Sequence, residues 1–270
     1  MAVWVNGERS QTETVSVHDA GFVRGDGCFE AVRSYAGQPF AVAEHLERLQ
    51  RSAEALGLDL PELEKITVWI DEAAAVAGDG IVRIIATRGG PDPDVAPPVV
   101  IVMTEPLPPK HTALALLPMR APWHPAGRRW ELAGAKTLSY GPNVNASRVA
   151  RSRGFDDAVL LSDDEILLEG PTFTIGWVVE GVVETPSLDL FILDSITRRY
   201  VIDHDAVEGR FGLSRLAAAS EVFAMSTLKE VMPVVRVGDL HFERGPISGG
   251  LAAGFRVNLI EAGFAVDPQR

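Results

Sequence analysis

Hydrophobic and polar positions along this chain follow two periods. Residues 1–5 (Met-Ala-Val-Trp-Val) read as a strand, and Asn6-Gly7 as the tight turn after it. Residues 28–35 are β-prone and stop at Gly37. From 44 to 58 the period changes: Leu46, Leu49, Ala53 and Leu56 recur at steps of three and four, giving one face of an amphipathic helix that Gly57 ends. Residues 61–77 repeat that pattern. Runs at 81–87 and 99–104 read as paired strands around the Gly/Pro-rich loop 89–98. Pro-rich stretches at 106–110 and 121–126 bracket one more strand at 113–119. The second half is expected to hold a helix at 145–153 and strands at 157–161, 165–168, 174–179 and 182–185. A helix at 195–208, short strands at 221–225 and 234–237, and a closing helix at 251–262 complete it. This alternation predicts a mixed α/β (α+β) fold. We expect a smaller N-terminal α/β domain at 1–118, a linker at 119–127 and a larger C-terminal domain at 128–270.

Composition narrows the function classes. A chain of 270 residues, 46% apolar and 23% charged, can bury a core without staples and is not a disordered sequence. Its formal net charge of −12 argues against nucleic acid as a partner. A single cysteine, Cys28, excludes an intrachain disulfide and fits a reducing compartment. The start has no basic-then-apolar pattern, and no apolar run approaches the ~20 residues of a membrane span. A cytoplasmic protein without membrane contact is therefore expected. Only four of the 25 basic residues are lysines: Lys65, Lys110, Lys136 and Lys229.

Several common chemistries are missing. The six histidines lack paired ligand spacing and there is no cysteine cluster, so no metal site is expected. There is no Gly-x-Ser-x-Gly elbow, Walker loop or dinucleotide fingerprint. Gly25-Asp26-Gly27 reads as a turn. Lys65 and Lys110 read as solvated. Lys136 lies among small apolar residues with no adjacent acid, where lost solvation favours the neutral amine of a Schiff-base lysine; a surface loop lysine is the bland alternative. Glu169 ends the apolar run 166–168, as a partnered carboxylate or as a turn residue. Ser195-Ile196-Thr197-Arg198 starts a helix, a phosphate cradle or a plain N-cap. Ser226 and Thr227 supply hydroxyls after a strand, or a local turn. An amine nucleophile, a carboxylate for a pyridinium nitrogen and two phosphate cradles together suit pyridoxal 5'-phosphate.

On these residues the chain resembles the fold-type IV pyridoxal-phosphate enzymes: branched-chain and D-amino acid aminotransferases, (R)-amine transaminases and aminodeoxychorismate lyases. The likeness runs through Asp19-Ala20-Gly21-Phe22, Gly25-Asp26-Gly27-Cys28-Phe29-Glu30 and Glu44-His45-Leu46-Glu47-Arg48-Leu49. It continues through Lys136-Thr137-Leu138-Ser139-Tyr140, Leu168-Glu169-Gly170, Thr185-Pro186, Leu193, Ile196-Thr197-Arg198, Ser226-Thr227 and Met232-Pro233-Val234. The resemblance implies two α/β domains with the cofactor at their interface, and a homodimer. It makes Lys136 the Schiff-base lysine and proton carrier, and Glu169 the partner of the pyridine nitrogen. It makes Arg48, Ile196, Thr197, Ser226 and Thr227 phosphate ligands, sets Leu193 against the ring and puts Tyr140 at the ring hydroxyl.

The implied activity moves an amino group from an amino acid or primary amine to a 2-oxo acid such as pyruvate or 2-oxoglutarate. The alternative is aminodeoxychorismate lyase, which releases pyruvate and 4-aminobenzoate. Length and the 25–29 segment lean toward the lyase; Glu30 and Tyr140 lean toward a transaminase. Phe173-Thr174 stands where the family often has Ser-Asn, and no arginine–histidine carboxylate trap follows Thr87-Arg88-Gly89. Phe29, Arg33, Arg88, Phe173 and Thr174 are the candidate substrate positions, with Arg33 and Arg88 equally readable as structural ion pairs.

Overall fold

A computed structural model describes residues 1–12, 14–92, 94–109 and 111–266. Lys110, expected in solvent, lies outside the described residues. The chain divides into two compact units. One comprises Met1–Pro109, Ala135–Tyr140 and the stretch from Ala262; the other comprises Lys110–Gly134 and Gly141–Glu261.

The first unit contains, in chain order, β1 (Val3–Val5), β2 (Glu8–Arg9), α1 (Ala20–Arg24), β3 (Gly27–Tyr35) and β4 (Gln38–Pro39). It continues with α2 (Val42–Leu56), α3 (Leu63–Ala77), β5 (Gly80–Thr87) and β6 (Val99–Pro106). Its sheet runs β2-β1-β6-β5-β3-β4 and every pairing is antiparallel. Asn6 and Gly7 both take positive φ, which matches the right-handed twist of the β1–β2 hairpin. The periodic faces behave as the sequence predicts. Leu46, Leu49 and Ala53 of α2 and Ile66, Ile70 and Ala73 of α3 bury against Val32, Val82, Ile84 and Val102 of the sheet. Helix α1 is too short to show a period. Asp19 caps it, with Oδ1 accepting from the Gly21 N–H at 2.7 Å while Oδ2 accepts from the Thr87 hydroxyl at 2.7 Å.

The second unit contains β7 (Leu114–Arg120), α4 (Gly141–Ser152), β8 (Asp157–Leu161), β9 (Thr174–Val179), β10 (Val182–Pro186) and α5 (Ile196–Ile202). After these come β11 (Val207–Gly209), β12 (Glu221–Ser226), β13 (Glu230–Val237), β14 (Leu240–His241) and α6 (Pro246–Glu261). Its mixed sheet runs β11-β10-β9-β12-β13-β7-β8, with β14 on β13. Strand β12 shows why its sequence lacks polar alternation. Val222 and Ala224 pack with Ile175 and Trp177 on one face, while Phe223 and Met225 pack with Val201 and Leu251 on the other.

Two expectations are corrected. Residues 165–168 form no strand; Leu167 and Ile166 make isolated bridges to Leu161 and Gly212, because Glu165 in the left-handed region folds the chain back on β8. The helix expected over 195–208 stops at Ile202. Asp205 is also left-handed, and 207–209 instead pairs parallel to β10.

Candidate functional site

Lys136 sits on a segment that lies along the start of β3. The Phe29 N–H donates to the Lys136 carbonyl at 3.1 Å, the Leu138 N–H to the Gly27 carbonyl at 2.8 Å, and Thr137 bridges to Cys28. The Lys136 N–H donates to Ser52 Oγ on α2 at 3.0 Å. The two glycines read as a turn allow this approach. A Cβ on Gly25 would stand 2.8 Å from Ser139 Oγ, and one on Gly27 2.7 Å from Leu138 and in collision with the Ala86 carbonyl oxygen. Lys136 Nζ is 4.1 Å from the Phe29 ring centroid and 5.1 Å from that of Tyr140, and the two rings meet edge to face at 5.2 Å. The amine is thus fixed against two aromatic faces.

A charged group lies on the same strand and on α2. Glu30 and His45 are both 0% exposed and Arg48 is buried. Arg48 Nε and Nη2 donate to the two Glu30 oxygens at 2.7 Å each, and His45 Nδ1 is 2.7 Å from Glu30 Oε2. Burial opposes the Glu30 charge, but the Arg48 fork and the His45 hydrogen bond outweigh it and hold the carboxyl well below the usual range. Burial lowers the His45 pKa despite Glu30, so a neutral ring donates from Nδ1. Two of the Arg48 donor nitrogens are therefore spent on Glu30, and a phosphate would have to use its other N–H groups. Burial, then Glu30, pushes the Cys28 thiol up to about 12, which excludes it as a nucleophile.

The two arginines weighed as carboxylate binders make structural contacts. Arg33 donates to the Gly80 carbonyl at 3.1 Å and to the Ser34 carbonyl, and pairs with Asp79. Arg88 pairs with Asp26 at 2.7 Å and donates to the carbonyls of Leu56 and Gly57 at 2.6 and 3.0 Å, closing the C-terminus of α2.

In the second unit, Glu169 is held on both oxygens. Oε2 accepts from the Leu193 N–H at 3.1 Å, and Oε1 is 3.2 Å from His124 Nε2. His124 Nδ1 accepts from the Ala126 N–H at 3.0 Å, so the proton sits on Nε2 and points at Glu169. Sequence reasoning missed His124, because a metal-spacing test rejects any lone histidine; its place in a Trp-His-Pro stretch was the available signal. Leu193 enters through its backbone as well as its side chain.

Ser195 precedes α5 without a side-chain cap, and the Thr197 hydroxyl in the first turn is buried with no hydrogen-bond partner. Thr174 Oγ1 is a second such orphan. Helix α5 packs on β12, whose last residue, Ser226, accepts from the Lys229 N–H at 3.1 Å. Ser226 is thus a local turn former, and Thr227 beside it is buried. Uncapped helix-start N–H groups and an orphaned hydroxyl are donors that a phosphate ester accepts from. Phe173 belongs to the apolar cluster of Leu167, Ile175 and Trp177.

Comparison with known proteins places these residues in a family context. A family described as "Amino-transferase class IV" matches residues 27–237. A putative branched-chain-amino-acid aminotransferase of Methanocaldococcus jannaschii is 32% identical over 261 residues, covering 88% of each chain. A D-alanine aminotransferase of Staphylococcus epidermidis is 31% identical and covers 91% of this chain and 92% of its own. The branched-chain aminotransferase of Thermoproteus uzoniensis, solved with norvaline, superposes with a TM-score of 0.84 at 27% identity, over 97% of this chain and 96% of its own.

Proposed function

The chain belongs to the class IV amino-transferases, and from that premise we propose that it is a pyridoxal-phosphate-dependent aminotransferase. Its donor is an amino acid or primary amine and its acceptor a 2-oxo acid. The observation that carries this is Lys136, an amine set between the Phe29 and Tyr140 rings on a segment anchored at three backbone points. When bound, the cofactor supplies an electron sink for the bonds at the substrate's Cα.

The side chains of this chain supply the rest. Lys136 Nζ would hold the cofactor through its amine and would carry the proton at the substrate Cα. Glu169, oriented by His124 Nε2–H and the Leu193 N–H, would hold the pyridine nitrogen through its carboxylate. The Thr197 hydroxyl fits the phosphate because it is buried and otherwise unpaired. The N–H groups of Ile196 and Thr197, Arg48, Ser226 and Thr227 complete that set. Tyr140 would reach the ring hydroxyl and Leu193 would pack on the ring. Glu30 fixes the Arg48 fork. A homodimer fits the apolar side chains that α1 exposes, Phe22 and Val23. Among the described residues, no helix is long and apolar enough to cross a membrane.

The test is spectroscopic. The purified protein with pyridoxal phosphate should show the visible band of the lysine-bound cofactor, and Lys136→Ala should lose it. D-alanine, L-glutamate, L-leucine or (R)-1-phenylethylamine should bleach the band, and pyruvate or 2-oxoglutarate should restore it. A protein that never shows the band refutes the reading. A stable band with turnover of aminodeoxychorismate alone moves it to the lyase.

A further inference from the structure

Lys229 is a lysine that the proposed chemistry does not use, and it differs from Lys65, which pairs with Glu62 at 2.9 Å. Its half-buried ammonium stands 5.3 Å from the Phe173 ring centroid and 3.4 Å from the Thr172 hydroxyl. No carboxylate lies within ion-pair distance of it among the described residues. Several arginines of this unit are ion-paired, among them Arg199 with Asp194, Arg215 with Glu184 and Arg256 with Glu230. The carboxylate whose field favours the Lys229 charge is Asp157, but its Oδ1 accepts from Ser147 Oγ at 2.6 Å and from the Ala158 N–H at 2.9 Å. Arg151 opposes that charge, and burial lowers the Lys229 pKa. A desolvated cation with one loose hydroxyl contact retains donors for an anion.

Its position says which anion. The Lys229 N–H closes on Ser226 Oγ, so its backbone belongs to the turn that carries Ser226 and Thr227. Its side chain reaches the turn that follows Glu169, which the Gly170 N–H closes on the Phe173 carbonyl at 2.7 Å. Lys229 therefore links the loop of the candidate phosphate hydroxyls to the loop of the candidate pyridine carboxylate, within one unit. Arg33 and Arg88, the other cations weighed for a substrate carboxylate, are occupied structurally.

We propose that Lys229, with the Thr172 hydroxyl, is the cationic subsite that receives a carboxylate of the amino-acid or 2-oxo-acid substrate. This rests on the aminotransferase reading, and the test separates the two. In the holoenzyme, Lys229→Met should leave the visible band and the affinity for pyridoxal phosphate unchanged. It should lower kcat/KM about tenfold or more, chiefly through KM, for whichever of D-alanine, L-glutamate and L-leucine the enzyme uses, the loss of one hydrogen bond to a charged group. Bleaching of the band by (R)-1-phenylethylamine in a single half-reaction, with no 2-oxo acid added and so no carboxylate present, should keep its rate, and Lys229→Arg should restore part of the loss. Equal kcat/KM for carboxylate donors in Lys229→Met overturns the proposal. A weakened cofactor affinity instead also overturns it, by assigning the cation to the phosphate.

A second readout does not need turnover. Lysine labelled with 13C at Cε gives at most four signals in this chain. The signal absent from Lys229→Met should shift as succinate is titrated into the wild-type holoenzyme over the millimolar range. If no donor bleaches the band, the aminotransferase reading fails while this shift still reports the subsite; no shift overturns the subsite.

Discussion

Replacing Glu30 with alanine removes the acid from a fully buried site whose donors, Arg48 and His45, all aim at it. Glu30 and His45 are wholly buried, and Arg48 directs two nitrogens at the missing carboxylate from 2.7 Å. The wild-type pair gains little net stability, because desolvating both ions offsets their attraction. Removing one partner, however, leaves an uncompensated guanidinium, which costs about 3–5 kcal/mol. Glu30→Gln keeps the shape and one acceptor, so about 3 kcal/mol is expected at the lower end of that range. Either loss is a large share of the roughly 5–15 kcal/mol that holds a domain folded. Equilibrium denaturation in urea measures it directly, read on the transition of the first unit.

The same substitution has a pH signature. The folded-state pKa of Glu30 lies below the ordinary 4.5. Its contribution to stability is therefore full above that value and is lost as pH falls toward the folded pKa. Glu30→Gln should flatten the acid limb of the stability profile. His45 acts in the same direction at higher pH: its folded pKa lies below 6.5, so stability rises as pH climbs toward 6.5. A Glu30→Ala loss under 1 kcal/mol, with an unchanged acid limb, would show that the carboxylate is not the counter-ion of Arg48 in solution.

The remaining predictions address separate elements. Glu221, buried, accepts from the Ile247 and Ser248 N–H groups at 3.0 and 2.7 Å and from Ser248 Oγ at 2.5 Å, so it caps α6 from a distance. Glu221→Ala should cost about 2–3 kcal/mol in thermal unfolding. Gly27→Ala drives a methyl into the Ala86 carbonyl and toward Leu138; about 1–3 kcal/mol of stability should be lost, with faster proteolysis at 135–140. His124→Phe removes a donor from Glu169, and cofactor affinity measured by absorbance titration should fall about tenfold, the worth of one hydrogen bond. Cys28, held protonated up to about 12, should resist iodoacetamide at pH 8 in the folded protein and react once unfolded.

Local rules made much of the fold legible. Leu46, Leu49 and Ala53 were readable as a helix face because a three-four period has one structural solution. Asn6-Gly7 was readable as a hairpin because few residues tolerate two positive φ values in succession. Errors occurred where a single residue turned the chain. Glu165 adopts a left-handed conformation that its residue type does not announce, and Asp205 one that aspartate tolerates but does not require, and each disrupted an expected element.

The site divides along the same line. Lys136, Glu169 and Thr197 could be nominated because their chemistry is unusual for their immediate neighbours. The function of Gly25 and Gly27 could not, because a glycine read as a turn and a glycine that admits another segment look alike until that segment arrives, and here it arrives from 135–140. The same holds for charge. Glu30, His45, Arg48, Arg33, Arg88 and Lys229 are six ionisable side chains with no ranking in the sequence. Packing ranks them: five are satisfied by protein groups across separations of up to 62 residues, and Lys229 keeps, among the described residues, a loose hydroxyl and a ring face. The hydroxyl and the ring face that Lys229 touches leave its ammonium donors for an anion that the chain itself does not supply.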